Sequence, residues 1–364
     1  MPNRAIRNPA TRQRGIAAMM TMIFLLVVIG FAAVILLRMS SSDLTDSTAQ
    51  GDSVAALFLA ESALERASYR YRQLGAVCNN VTVADAGATL GRGTMQVISA
   101  NPINGRCRVV ATGQVNTTRR RVQADIGKPI ALVAINPGQA FSTQVTSQPL
   151  TPINIPGTAI DRALVVGVSI RRDAANQQVT GITYTNPPGP PMSFSLVGAA
   201  TSPTNARAEL WVLPNPPTGT NTVTINLNPG ARFVAGVMAF SGVDQTFPFD
   251  PVPNAYPPTG FGGIPAFTAN ISRANAWAVD VLAKRLAASA TVAGAGHTQR
   301  WSLATTDAVA ANNILGAAST NGPVNPIGGL PGLANMNWNS AGAQWARFMA
   351  ELRPAPVVTL WQER

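Results

Sequence analysis

Residues 16–37 read IAAMMTMIFLLVVIGFAAVILL, an uncharged run that begins directly after Arg12-Gln13-Arg14-Gly15. At about 1.5 Å per residue a helix over this run is roughly 33 Å long, enough to cross a hydrocarbon core of about 30 Å. Ahead of it stand Arg4, Arg7, Arg12 and Arg14 and no acid, so the positive-inside rule keeps residues 1–15 cytoplasmic and sends the rest outward. A secretory signal has an apolar region of only about 7–15 residues closed by a small-x-small cleavage site. This run is longer and ends in Leu37-Arg38-Met39-Ser40, which lacks that pattern.

The helix is expected to continue past the membrane surface. From Ser40 to Leu74 there is no proline, and Leu57, Ala60, Leu64, Ala67, Tyr71 and Leu74 recur in steps of three and four, the mark of one apolar helical stripe. Glu61, Glu65, Arg66, Arg70 and Arg72 fall between them on the wet side. One helix from Ile16 to about Gln73 would measure close to 87 Å, with Gly30 and Gly51 as its weakest points.

These residues carry a resemblance. The basic leader ending in Arg14-Gly15, the abutting apolar helix and the segment AESALERA at 60–67 resemble the N-terminus of type IV pilin-like proteins, closest to PilX-like and MshP-like minor pilins and the minor pseudopilins of type II secretion. The resemblance covers residues 10–128 and rests mainly on 10–75. It implies cleavage by a prepilin peptidase after Gly15, leaving Ile16 as a methylated first residue, and packing of Met20, Phe24 and Leu25 against like helices of other pilins or pseudopilins. Most members carry a glutamate at the fifth mature position, where this chain has Met20. A carboxylate at membrane depth costs several kcal/mol unless paired. A subunit with no neighbour ahead of it has nothing to pair with, which suggests a place at a filament tip or in priming.

Composition bears on the rest of the chain. Hydrophobic residues make up 46% and charged ones 12%, with 31 Gly and 28 Pro, a profile of short strands and many turns. Residues 1–130 carry 14 Arg and 1 Lys against 7 acids, net +8, and the remainder of the chain only +3. Nucleic-acid binding requires basic residues clustered on a folded face with aromatic or helical readers. Here four arginines belong to the leader, and Arg119-Arg120-Arg121 reads as a solvated strand end or a run near anionic lipid. No nucleic-acid partner is expected.

Cys78 and Cys107 both follow the membrane run, in what would be an oxidising compartment, so a disulfide is expected; the alternative is a pair of buried thiols. Closing that loop would stabilise a small domain by roughly 3.5 kcal/mol. No Cys/His spacing suggests zinc.

Residues 75–128 read as a small β-unit closed by the cysteines, with strands at 94–98, 107–111 and 119–126. Residues 129–160, rich in Pro, Thr and Gln (NPGQAFSTQVTSQPLTPINIPG at 136–157), read as a linker. Residues 161–354 read as an all-β sandwich, jelly-roll-like, with strands at 163–170, 179–184, 193–199, 208–213, 222–227, 233–240, 276–282 and 345–352, and 355–364 as a tail. The stretches DRALVVGVSIRR, ELWVLPNPPTGTNTVTI, RFVAGVMAFSGVDQ and AGAGHTQRW also resemble a β-sandwich module of bacterial secreted and surface proteins, which implies display or binding and supplies no catalytic site. The fold class is thus an α+β pilin-like N-terminal part, a long transmembrane helix plus a small antiparallel sheet, followed by the sandwich.

Chemistry has little to work with. His297 is the sole histidine, and no Gly-x-Ser-x-Gly elbow accompanies it. A glycosidase needs two carboxylates facing across a cleft, and a Ca²⁺ site at Asp244 or Asp250 lacks a dense Asp/Asn-Gly pattern. Trp211, Trp277 and Trp345 stand in apolar strand contexts and read as core, whereas Trp301 and Trp338 have polar neighbours and read as exposed contacts for a ligand. The expectation is a non-enzymatic minor pilin or pseudopilin with no catalytic residue, cofactor or metal. It would cross the bacterial inner membrane once, with its C-terminal domains periplasmic or extracellular on a filament and a surface or polysaccharide as ligand. The alternative is an inner-membrane-anchored periplasmic protein that binds or hydrolyses carbohydrate.

Overall fold

The computed structural model describes residues 10–73, 78, 88–103, 106–203, 205–251, 259–262, 267–285, 292–324, 332–339, 343–356 and 358–360. Its N-terminal element is a single helix, α1 (Ala10–Gln73), 64 residues and so about 96 Å long. It runs through Gly30 and Gly51 without interruption, and its described part begins inside the expected leader, at Ala10. The stretch Met19–Met39 is long and apolar enough to cross a membrane and none of it is buried. The last third is different: Ala56, Leu59, Ala60, Ala63, Leu64, Ala67 and Tyr71 are buried. The expected stripe is present at Ala60, Leu64, Ala67 and Tyr71 and widened by alanines, whose small side chains let a sheet lie close. Leu74 lies outside the described residues.

That sheet is antiparallel: β1 (Ala88–Leu90), β2 (Gly93–Ile103), β3 (Arg106–Val115) and β4 (Thr118–Ile126) in sequential order. Val97, Val109, Ala111, Val115, Val122, Ala124 and Ile126 meet α1 in one core. Gly113 faces the helix so closely that a Cβ there would overlap the Ala56 carbonyl. The expected disulfide is present, Cys78 to Cys107, and ties the chain beyond α1 to the start of β3.

Residues 129–160 correct the expectation of a linker. β5 (Ala131–Pro149) is a 19-residue strand and β6 (Ile153–Ile155) a short one, and both pair antiparallel with the longest strand of the sandwich. Most of β5 is exposed or half-exposed, because it is an edge strand with one open side, which is why its polar residues imitate a linker. Phe141, its largest apolar residue, stacks on Phe233 with ring centroids 4.6 Å apart.

The sandwich continues with β7 (Ala163–Arg171), β8 (Gln178–Thr185), β9 (Met192–Ser193), β10 (Ser195–Thr201), β11 (Ala206–Pro214) and β12 (Gly219–Ser241). They form one sheet in the order β10-β11-β7-β12-β8-β9. The two strands expected at 222–227 and 233–240 are one, β12, whose register shifts between Asn226 and Ala231 around Pro229-Gly230. A second sheet stacks on the first. Its strands are β13 (Phe249–Pro251), β14 (Thr259–Gly262), β16 (Ala276–Arg285), β18 (Thr298–Ala304), β19 (Ile314–Val324) and β22 (Ala343–Leu352). Two small pairs cover its outer face: β15 (Thr268–Ile271) with β20 (Gly332–Asn335), and β17 (Val292–Ala293) with β21 (Trp338–Asn339).

Between the two large sheets lies a core built from Val165, Leu210, Met238, Phe240, Val279, Val281 and Trp301 among others. The opposite face of β7, carrying Leu164, Val166, Val168 and Ile170, belongs to a second core with Ile155, Ile182, Tyr184 and Phe233. β7 is therefore buried on both faces and reads as a continuous apolar run.

The C-terminal stretch corrects the expectation of a free tail. β23 (Val358–Leu360) adds to the head sheet beside β4, at Asp125, Ala124 and Gln123. Head and sandwich are thus joined twice by the chain, once at 127–130 and once after residue 353, ahead of β23. They are also pinned by the Arg106–Asp161 ion pair at 2.8 Å and by the Ala355 N–H donating to the Gly242 carbonyl.

Candidate functional site

Three places bear on function: the exposed apolar helix, the polar interior of the sandwich and the outer face of the head. On the helix, Gly15 and Ile16 lie within α1, so a cut between them would leave the rest of the helix intact. Met20, Phe24 and Leu25 are 60–71% exposed, and the entire stretch around them awaits a cover of lipid or of other helices.

In the sandwich, both tryptophans expected at the surface are buried, at 3% exposure each. This corrects their assignment as ligand contacts. Trp301 lies on three glycines: a Cβ added at Gly138, Gly167 or Gly236 would come within 2.8–3.0 Å of its ring. Its polar neighbours point the other way along the strand, and that alternation produced the misleading signal. Trp338 is held by chemistry, since its Nε1 donates to Asp280 Oδ2 at 2.7 Å.

Asp280 is the centre of the polar interior. It is fully buried, and Arg347 Nε also donates to its Oδ2, at 2.8 Å. Arg347, itself 1% exposed, spends a further N–H on the Met336 carbonyl, which fixes the loop before β21. Burial raises the Asp280 pKa, against the pull of Arg347 and Trp338. Beside it, His297 stacks edge-on to Trp338 at 5.2 Å and is bonded on both ring nitrogens, to Ser319 Oγ at 2.7 Å and to the Asn337 carbonyl. A carbonyl only accepts, so Nε2 carries the proton and, in the neutral ring, Nδ1 accepts from the Ser319 hydroxyl. Burial pushes the His297 pKa below its ordinary value, which favours that neutral form. Ser319 is fully enclosed, so this Ser–His pair presents no nucleophile to a substrate.

The remaining acids are similarly occupied. Glu209 accepts from Arg207 Nε at 2.5 Å and Trp211 Nε1 at 2.8 Å. Glu351 takes the backbone N–H groups of Ser272 and Arg273 and so anchors the loop before β16. Asp244 accepts the N–H groups of Thr246 and Phe247, and Asp250 pairs with Arg273 and Arg353. Guanidinium groups already neutralise the positions weighed for Ca²⁺. Among the described residues no group of three or more His, Cys, Asp or Glu is arranged to hold a metal.

The head's outer face carries what sequence reasoning passed over. Strand alternation turns Arg120 toward α1, where it bonds Ser53 Oγ, and turns Arg119 and Arg121 to the other side. There they line a cleft of about 320 Å³ with Ile98 and Thr112. The expected strand-end arginines are therefore one wall of a concave surface.

No family model matches the chain. No curated protein matches it either. Among solved structures, two oxalate decarboxylase chains, one a mutant of the Bacillus subtilis enzyme, are each 9% identical to this chain, with a TM-score of 0.18 over 77% of this chain and 78% of that chain. A third oxalate decarboxylase chain is 10% identical with a TM-score of 0.15. Superposition at that level carries no argument about fold or activity.

Proposed function

We propose that the chain is a structural subunit of the minor pilin or pseudopilin kind, not an enzyme, in a type IV pilus or type II secretion-like filament. A prepilin peptidase cuts it after Gly15, and other pilins or pseudopilins take the place of lipid around its helix. The sandwich then travels outward for assembly, tip or adhesion roles. Before assembly the protein resides in the bacterial inner membrane with its N-terminus in the cytoplasm.

One observation supports this reading above the others. A single helix is bare and apolar over Met19–Met39, yet forms the core of a disulfide-tied sheet over Ala56–Tyr71. A simple membrane anchor has no need to be one rigid piece with the head it carries; a helix that must leave the bilayer and pack with its head in fixed register does. Met20 in place of a carboxylate favours an end position over the shaft.

The test is the mature N-terminus. Intact mass should place it at Ile16, dependent on the prepilin peptidase and lost in Gly15→Val. A chain that keeps Met1 overturns the reading in favour of a permanent anchor.

A further inference from the structure

The head has unpartnered charges of opposite sign on opposite sides. Arg119 and Arg121 make no ion pair or hydrogen bond among the described residues, and they stand on the face of the sheet turned away from α1. Their own helix lies on the other face of the sheet, and no acid among the described residues pairs with them. Glu61 and Glu65 are likewise without a partner among the described residues. At 100° per residue they fall on the side of α1 opposite its buried alanines, in one stripe with Val54, Phe58 and Tyr69, which are 54–62% exposed. Three apolar residues and two carboxylates thus share an open helical face. Across the head, Ile98, 40% exposed, shares a cleft with two free guanidinium groups.

The spacings match. Residues two apart on a strand are about 6.6 Å apart, and residues one helical turn apart about 6 Å. We infer that the Ile98–Arg119–Arg121 cleft of one copy receives the Phe58–Glu61–Glu65 face of a second copy. Phe58 meets Ile98, and the two carboxylates meet the two guanidinium groups. The cleft lies level with Ser53, through the Arg120 bond, while the acidic face is centred near position 63. Docked copies are then offset by about 15 Å along the helix axis. Such a contact joins two different surfaces, so a docked pair leaves the cleft free on one copy and the acidic face free on the other. Anionic lipid is the weaker occupant. Ser53 lies 14 residues, about 21 Å, beyond Met39, farther than the headgroup layer and a Debye length of about 8 Å together reach.

This inference rests on the filament reading for its setting but is tested apart from it. Full-length chains carrying Phe58→Cys and full-length chains carrying Ile98→Cys are mixed in detergent and the mixed disulfide is measured. Arg119→Glu with Arg121→Glu in the second chain should lower its yield about tenfold, and Glu61→Arg with Glu65→Arg in the first should restore it. Unchanged melting and an intact Cys78–Cys107 bond in the reversed chain show that its fold is kept. A yield indifferent to reversal, or not restored by the swap, overturns the docking. So does reversal that abolishes binding to phosphatidylglycerol vesicles while the crosslink persists, which assigns the cleft to lipid. The N-terminal mass is read on the same chains: a chain cut at Gly15 that ignores reversal removes the docking alone, and an uncut chain that still crosslinks removes the filament reading alone.

Discussion

Head and sandwich handle charge in opposite ways. The head packs neutral side chains against α1, adds one disulfide, and keeps Arg119, Arg121, Glu61 and Glu65 at its surface without partners among the described residues. The sandwich draws charge inside: the carboxylates of Asp280 with Arg347, of Glu209 with the partly exposed Arg207, and of Glu351 with a loop backbone are all fully enclosed. The head's own ion pair, Arg108 with Asp125 at 2.7 Å, stays partly exposed, where there is little desolvation to offset. The sandwich has two cores and uses its buried charges to hold long connections in place. Charge stays at the surface in one unit and serves internal architecture in the other.

The largest test of this contrast is Asp280→Ala, which leaves Arg347 buried without its carboxylate. We expect a loss of roughly 3–5 kcal/mol in urea unfolding, with amide protection lost in β16, β21 and β22 and retained in α1. Equal loss of protection across the head would break the comparison. Next is the head's own tie. Cys78→Ser with Cys107→Ser should lower stability by roughly 3.5 kcal/mol, confined to the sheet β1–β4. Should the sandwich lose as much, the two units are one cooperative body.

A smaller effect is expected from pH. The folded state holds His297 at a pKa below its ordinary value of about 6.5, so the unfolded chain binds the extra proton first on acidification. Its contribution is present above pH 6.5 and is lost as pH falls toward the folded pKa. In His297→Gln the stability curve should be flatter over that window; an unaltered slope would show that the ring is free to charge in place. Least of all, Arg119→Gln with Arg121→Gln should change stability by no more than about 0.5 kcal/mol. A larger loss would mean that these arginines serve the fold after all.

Legibility in the sequence followed the strength of periodicity. The membrane run and the stripe Ala60–Tyr71 were readable because a helix repeats its apolar positions over many turns. β7, β11, β16 and β22 were readable because apolar residues dominate both of their faces, even where Glu209, Asp280, Arg347 and Glu351 interrupt the run. β19 was not: its Gly-Ala-Ala-Ser core lacks branched side chains, because Gly316 sits against Val234 and Ser169 where the two sheets come closest. β5 was missed for the opposite reason, an open edge that tolerates Gln, Ser and Thr. The Pro-Gly at 137–138 that suggested a flexible connection is where Gly138, at φ +99°, makes room for Trp301. Trp301 and Trp338 were misplaced because neighbours in sequence describe the opposite face of a strand. The stripe Val54–Phe58–Tyr69 could have been found by asking which apolar residues the buried stripe leaves over.

The returning strand β23 gives the molecule a mechanical character. A sandwich hung from the head by one segment would swivel and pass any pull through a single backbone. Here the polypeptide passes between the units at 127–130 and again between residue 353 and β23, and the second crossing ends hydrogen-bonded to β4. Tension on the outer unit is divided between two backbones, one continuous with the helix-bearing sheet and one gripped by it. Twist about the long axis is resisted as by a hinge with two pins.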